Sequence, residues 1–192
     1  MGGDQRRAAG TDPRELTSFR PRGQEDLAPS GSAARVKENL AALVTLREIQ
    51  REQRPATPAE QQILARWSGW GAVPEVFDDR RNEYAGAREE LRAHLSPPEM
   101  AAAARSTINA HYTGADLVQV IWDGVRRLRF TGGQVLEPGS GSGNSIAFAP
   151  PEAQMTGIEV EPVTAAIAAA LYPRRGDPVR VVRRHPLPRG VV

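Results

Sequence analysis

The sequence predicts an α/β fold in which a helical module precedes a short sheet. From residue 32 to about 110, apolar residues recur at helical spacing between strong capping signals. From residue 134 onward, short apolar runs that end in an acidic residue alternate with helical segments, which is typical of parallel β-α units. We therefore expect a mobile arm over 1–31, a helical module over 32–110 and a sheet-containing domain over 111–192.

Composition excludes several classes of protein. The chain of 192 residues is 40% apolar, enough for a buried core, and its lack of cysteine excludes disulfides and thiolate metal sites. No apolar run is long enough to span a bilayer or to serve as a signal peptide, so we expect a cytoplasmic protein without a membrane partner. His94, His111 and His185 lie in unrelated contexts, so we predict no metal site.

The basic residues are almost all arginine, although the formal net charge is only +2. Arginine binds phosphates and stacks on bases, so this bias is compatible with nucleic-acid binding, but high-GC coding is the simpler explanation. In the arm, which has few spaced apolar residues, a solvated tail is the preferred interpretation. Contact of its arginines with a phosphate backbone is the alternative.

Two helices open the module. Apolar residues at helical spacing predict the first from Ser32 until Pro55 ends it, with an apolar side made of Val36, Leu40, Leu43, Leu46 and Ile49. Thr57-Pro58-Ala59-Glu60 then combines a capping threonine, a proline at the first helical position and a glutamate three residues after the cap. This pattern predicts a second helix as far as about Trp67.

The segment Trp67-Ser68-Gly69-Trp70-Gly71 follows that helix. Its two indole rings could stack on unpaired bases of a nucleic acid. The preferred interpretation is that they fasten a loop onto the helical core, because aromatic side chains bury large apolar areas.

Further elements follow in order along the chain. Helical patterns cover 84–95 and, after a second proline-containing cap at Ser96-Pro97-Pro98-Glu99, about 97–109. The next helix, Asp116 to Leu128, is predicted to be capped by Thr113 and to bury Leu117, Val118, Ile121, Val125 and Leu128. Strands are predicted from 134 and from 155, an alanine-rich helix over 162–171, and a third strand over 179–182.

A glycine-rich turn joins the first predicted strand to a helix, as Glu137-Pro138-Gly139-Ser140-Gly141-Ser142-Gly143-Asn144. Such a turn brings bare backbone close to a ligand. A dinucleotide fingerprint requires a third glycine at 144, where the chain has asparagine, and a phosphate-binding loop requires a lysine that is absent here. The Glu137 charge repels a pyrophosphate and suits a ligand that carries an ammonium and a sulfonium.

This segment resembles the first motif of class I S-adenosylmethionine-dependent methyltransferases, in the form found in amino-group DNA methylases. The resemblance implies that Glu137 acts on the methionine amino group, while the backbone of the Pro138-Gly139-Ser140-Gly141-Ser142-Gly143 turn lies along the cofactor. It also implies that Glu159, at the end of the second strand, accepts hydrogen bonds from both ribose hydroxyls through two free oxygens, with Val160 beside it. Tyr112-Thr113 resembles the segment that closes over the methionine carboxylate, although Gly114 replaces the usual proline.

The stretch from about Leu40 to Pro173 is similar to the amino-terminal part of large methylase-helicase proteins of phages and conjugative elements. That resemblance implies a helical N-terminal module followed by the first half of a Rossmann-like class I methyltransferase core. It also implies S-adenosylmethionine as cofactor, DNA adenine as substrate and a helicase domain in the full-length relatives.

The chain departs from the family at the catalytic motif. Amino-group methylases carry Asp/Asn/Ser-Pro-Pro-aromatic after their fourth strand, whereas Ser96-Pro97-Pro98-Glu99 lacks the aromatic residue and follows no strand. We therefore expect a truncated DNA (adenine-N6) methyltransferase fragment without catalytic residues, inactive alone. A non-catalytic DNA-binding or regulatory module and a methyltransferase that acts on RNA or protein are the alternatives.

Overall fold

The computed structural model describes residues 18–173 and the backbone of 180–183. Over these residues the chain forms helices α1 to α7 and strands β1 to β3. The helices are Ser32–Glu52, Pro58–Leu64, Ala85–His94, Pro97–Ser106, Ala115–Arg127, Asn144–Ala147 and Pro162–Leu171, and the strands are Gly133–Pro138, Ala153–Glu159 and Arg180–Arg183. Among the described helices, none has both the length and the apolarity needed to cross a membrane.

The sheet has the order β1-β2-β3, and both neighbouring pairs are parallel. Val135 lies opposite Met155, and Glu137 lies opposite Gly157. Helix α6 connects β1 to β2, and α7 follows β2, so the predicted α/β alternation is confirmed. Because parallel strands end at the same edge, the segments after Glu137 and Glu159 meet there.

Helix α2 confirms its capping prediction. Thr57 and Glu60 form both hydrogen bonds of the capping box at the start of α2. The helix ends at Leu64, earlier than the predicted Trp67, because Arg66 and Trp67 donate to carbonyls three residues back and tighten the chain into a turn.

Trp67 and Trp70 fasten the loop after α2 to the core, as the preferred interpretation predicted. Their side chains are 2% and 1% exposed, and the rings meet edge to face with centroids 5.6 Å apart. The Trp67 indole N–H donates to the Thr164 hydroxyl of α7 at 3.0 Å. Since neither ring is accessible, the base-stacking hypothesis is wrong for this structure.

A buried asparagine on α1 holds the same loop from the other side. The Asn39 side-chain amide donates to the Gly69 carbonyl at 2.6 Å, and its oxygen accepts from the Ser68 backbone N–H at 2.8 Å. The helices of the predicted module also pack directly on α7, and one continuous hydrophobic core includes Leu43, Trp67 and Ile167.

Residues 18–31 correct the prediction of a mobile arm that reaches Gly31. Phe19 and Leu27 are buried in the common core, and Arg20 donates to the Ala147 carbonyl at 3.1 Å. The Gln24 side-chain oxygen accepts from the Ala115 N–H at 2.9 Å and so serves the first turn of α5. The segment is ordered by these isolated contacts, which produce no periodic pattern. Residues 1–17 of the predicted arm lie outside the described residues.

Helix α5 differs from its prediction in its cap and in the side that it buries. Its N-cap is Gly114, and the Thr113 side chain makes no capping bond. Val118 and Trp122 are buried, whereas Leu117, Ile121 and Leu128 are 57%, 53% and 85% exposed. The described chain therefore covers only part of the apolar surface of this helix, and the rest is exposed.

The capping box of α2 predicts acid-dependent stability. A hydrogen-bonded ion pair with Arg54 lowers the pKa of Glu60 from 4.5 to about 2. Because this pKa is depressed by folding, its contribution to the free energy of unfolding is present above pH 4.5 and is lost as the pH falls toward 2. We expect Glu60→Gln to lower that free energy by roughly 1 kcal/mol at pH 7 and by less at pH 3, in urea denaturation at both values.

The matched control is Glu89→Gln on α3, since Glu89 is exposed and has no hydrogen bond or ion pair with the described residues. Its curves should follow those of the unmodified chain at both pH values. Equal losses for Glu60→Gln at pH 7 and pH 3 would contradict the ionised-cap account.

Candidate functional site

A cleft of about 830 Å³ lies at the edge of the sheet where β1 and β2 end. This volume is within the usual range for small-molecule sites, roughly 300–1,000 Å³. Seven of the residues predicted to bind cofactor line it, namely Tyr112, Thr113, Glu137, Gly139, Gly141, Glu159 and Val160. The structure therefore brings together residues that are up to 48 positions apart in the sequence, from 112 to 160.

Glu137 supplies an unpaired carboxylate to this cleft. Its side chain is half-buried, and over residues 18–173 it has no hydrogen bond or ion pair. A carboxylate that lacks a counter-charge in a recess attracts a cationic ligand group more strongly than one in open water.

The glycine turn presents backbone to the cleft. Gly139 and Gly141 have φ of +75° and +57°, the left-handed region that disfavours other residues. A side chain at Gly139 would meet nothing within 4 Å, so its missing Cβ leaves open space. The N–H groups of Gly139 and Ser140 both donate to the Ile158 carbonyl, at 2.8 and 3.0 Å, and anchor the turn to β2.

Glu159 differs in one respect from its predicted role. One carboxylate oxygen accepts from the Gly141 N–H at 2.9 Å, and the other accepts from Val160 and Glu161 N–H at 2.7 and 2.8 Å. The expectation of two free oxygens is therefore wrong. A carboxylate offers about four acceptor positions, so one remains on the oxygen that binds Gly141.

The ring of Tyr112 packs against the glycine turn. A Cβ on Gly69 or on Gly141 would lie 2.9 Å from its ring, so the ring is held between these two glycines. Burial raises the pKa of the Tyr112 hydroxyl, which interacts with the Thr164 side chain. Thr113 is exposed, and its carbonyl accepts from the Asn144 side-chain amide at 2.9 Å.

Two predicted site residues do not line the cleft. Pro138 is exposed at the end of β1. Gly143 is the buried N-cap of α6, and its carbonyl accepts from the Tyr172 hydroxyl at 3.1 Å. A Cβ there would lie 2.5 Å from the Tyr172 ring, so this glycine serves packing beneath the turn.

One part of the cleft lining could not be predicted from the sequence. Helix α4 and the residues after it contribute Glu99, Arg105, Asn109 and His111 to the cleft. The pattern around Ser96 indicated only a helix cap, and Glu99 does complete that cap, by accepting from the Ser96 N–H at 2.9 Å. No local signal distinguishes a helix that borders a cleft from one that faces solvent.

Glu161 also borders the cleft, at the start of α7. Its carboxylate accepts from the N–H groups of Val163 and Thr164 at 3.1 and 2.6 Å, so Glu161 caps the helix. Burial raises the pKa of this carboxyl above its usual value. Each of its oxygens accepts from one of these N–H groups, so the carboxylate stabilises the start of α7.

The cleft offers groups that could hold a small polar ligand. Its open glycine backbone, its unpaired carboxylate and the acceptor position on Glu159 can bind ammonium and hydroxyl groups. Among residues 18–173, no group of three or more histidine, aspartate or glutamate side chains is placed to hold a metal ion.

Comparison with family models, with curated proteins and with solved structures found no match to this chain.

Substitution in the glycine turn should separate backbone strain from steric conflict. Gly139→Ala and Gly141→Ala both place a side chain at positive φ, which costs roughly 1–2 kcal/mol. Only at Gly141 would the new Cβ also press on Tyr112, at 2.9 Å from its ring. We expect Gly141→Ala to lower the free energy of unfolding by about 1 kcal/mol more than Gly139→Ala, measured by urea denaturation followed through tryptophan fluorescence. Equal losses would show that the Tyr112 ring is not confined as described.

Proposed function

We propose that the cleft binds S-adenosylmethionine and that the chain is the cofactor-binding part of a DNA (adenine-N6) methyltransferase with a Rossmann-like class I core. The observation that carries the proposal is the unpaired Glu137 carboxylate, which shares one cleft with the open Gly139 backbone and with Glu159. The parallel order β1-β2-β3, with the cleft at the carboxyl ends of the strands, is compatible with one half of such a sheet.

Charge supports this cofactor over a nucleotide. Glu137 forms no ion pair with the described residues, so a ligand ammonium about 4 Å away would gain about 1 kcal/mol in water and about 4 kcal/mol at an effective dielectric constant of 20. A pyrophosphate in the same place would be repelled. The methionine end of S-adenosylmethionine carries the required ammonium.

The other end of the cofactor would be held by β2. The remaining acceptor position on Glu159 suits one ribose hydroxyl. Val160, which is 69% exposed at the cleft, offers apolar surface for a flat ring. Tyr112 acts through the turn, as a positioning residue, because its ring supports Gly141.

When bound, the cofactor would supply an electrophilic methyl group, and the residues described here would bind and orient it. The 192 residues contain no Asn/Asp-Pro-Pro-aromatic motif to hold an adenine and orient its amino group. We therefore propose cofactor binding without methyl transfer by this chain alone. DNA as partner, adenine as acceptor and a helicase domain in relatives rest on the resemblance.

Calorimetry with S-adenosylmethionine tests the proposal. We expect Glu137→Gln to weaken binding about tenfold, equivalent to about 1.4 kcal/mol, through loss of the charge that faces the ammonium. S-adenosylhomocysteine also carries the ammonium, so Glu137→Gln should weaken its binding by a similar factor. Adenosine lacks it, so its weaker binding should be unchanged in Glu137→Gln.

The matched control is Glu90→Gln on α3, an exposed glutamate outside the cleft with no partner among the described residues. Its affinity for all three compounds should equal that of the unmodified chain. No binding of S-adenosylmethionine to the unmodified chain, or equal affinity in Glu137→Gln, would contradict the proposal. Methyl transfer to adenine-containing DNA by this chain alone would contradict its second part.

A further inference from the structure

Helix α5 carries an exposed apolar stripe with no cover in the described chain. Leu117, Val120 and Ile121 are 57%, 64% and 53% exposed, and Leu128, the C-cap of the helix, is 85% exposed. At 3.6 residues per turn these side chains fall within an arc of roughly 100° around the helix axis. Single exposed apolar residues are ordinary, but a continuous row along one helix marks an interaction surface.

Gly124 lies within the same stripe. No other part of the described chain comes within 4 Å of where its side chain would begin. The stripe is therefore open at its middle, and the absence of a side chain there allows another helix to approach closely.

Charge on the flank of the stripe indicates what covers it. Asp116 lies in the first turn of α5 and Arg127 in the last, and neither has an ion pair within the described chain, whereas Arg126 pairs with Asp123 at 3.4 Å. Spacing at 3.6 residues per turn places Asp116 and Arg127 on the same side of the stripe. The helix thus carries one unpaired charge of each sign, at opposite ends of one flank.

This arrangement is complementary to itself. In an antiparallel pair of α5 helices related by a two-fold axis, Asp116 of each copy meets Arg127 of the other. The axis passes near Ile121, the middle residue of the 13-residue helix, and the apolar stripes cover each other. A parallel pair would instead keep Asp116 and Arg127 at opposite ends of the interface, where neither meets an opposite charge.

We propose that α5 is the interface of a homodimer in which two copies of this chain pack their α5 helices antiparallel. Apolar burial supplies the affinity, and the Asp116–Arg127 pairs fix the orientation. A single pair of helices about 20 Å long forms a small interface, so the dimer belongs to the weak, concentration-dependent class. This inference does not depend on the proposed function.

Sedimentation equilibrium over a wide range of protein concentration tests the dimer. We expect Ile121→Glu to weaken association at least tenfold, because it places a charge at the two-fold axis. The matched control is Ile108→Glu, since Ile108 is 77% exposed but lies outside α5. All these residues are exposed, so the variants should keep the fold, which circular dichroism verifies.

A charge exchange tests the antiparallel arrangement. Asp116→Arg and Arg127→Asp should each weaken the dimer, and the double variant should regain most of the lost affinity because opposite charges meet again. A chain that stays monomeric at all concentrations overturns the proposal. So does a dimer that persists unchanged in Ile121→Glu, or one that the double exchange fails to restore.

Discussion

The buried carboxylate of Glu159 holds the site together. It is 8% exposed and accepts three backbone N–H groups, from Gly141 in the turn after β1 and from Val160 and Glu161 after β2. A buried carboxylate without such partners would be costly, so the charge and the three donors stabilise one another. The end of β2, the glycine turn and the start of α7 consequently form one unit, and the cleft has its shape because of it.

The helical residues before the sheet support this unit directly. The Tyr112 ring lies between Gly69, in the loop after α2, and Gly141, in the glycine turn. In the same loop, the Trp67 indole N–H donates to the Thr164 hydroxyl on α7. The chain regions that the sequence assigns to a helical module and to a sheet-containing domain therefore share a core, and both line the cleft. A change in the packing of the loop that carries Trp67 and Trp70 should therefore alter the conformation of the glycine turn.

Much of this could be predicted because it depends on local rules. Capping residues at Thr57 and Ser96 defined helix starts, and acids at the ends of successive apolar runs predicted that Glu137 and Glu159 would meet at one edge of a parallel sheet. These features can be predicted because they depend on hydrogen bonds and residue patterns that span only a few positions in the sequence.

The features that could not be predicted depend on contacts distant in sequence. Phe19 and Leu27 are buried by surfaces formed far along the chain, so no pattern around them indicates order. The amphipathic period of α5 identified apolar positions but not whether anything within the chain covers them. The loss of two acceptor positions on one Glu159 oxygen follows from the path of the backbone after β2, which the residue type does not encode.

The most direct test of the central claim is a two-dimensional amide NMR titration with S-adenosylmethionine. The account predicts that the largest shifts fall on Gly139, Gly141 and Val160, whose backbone lines the cleft, while the amides of α3 stay in place. Shifts confined to residues outside the cleft, or no shifts at saturating cofactor, would contradict it.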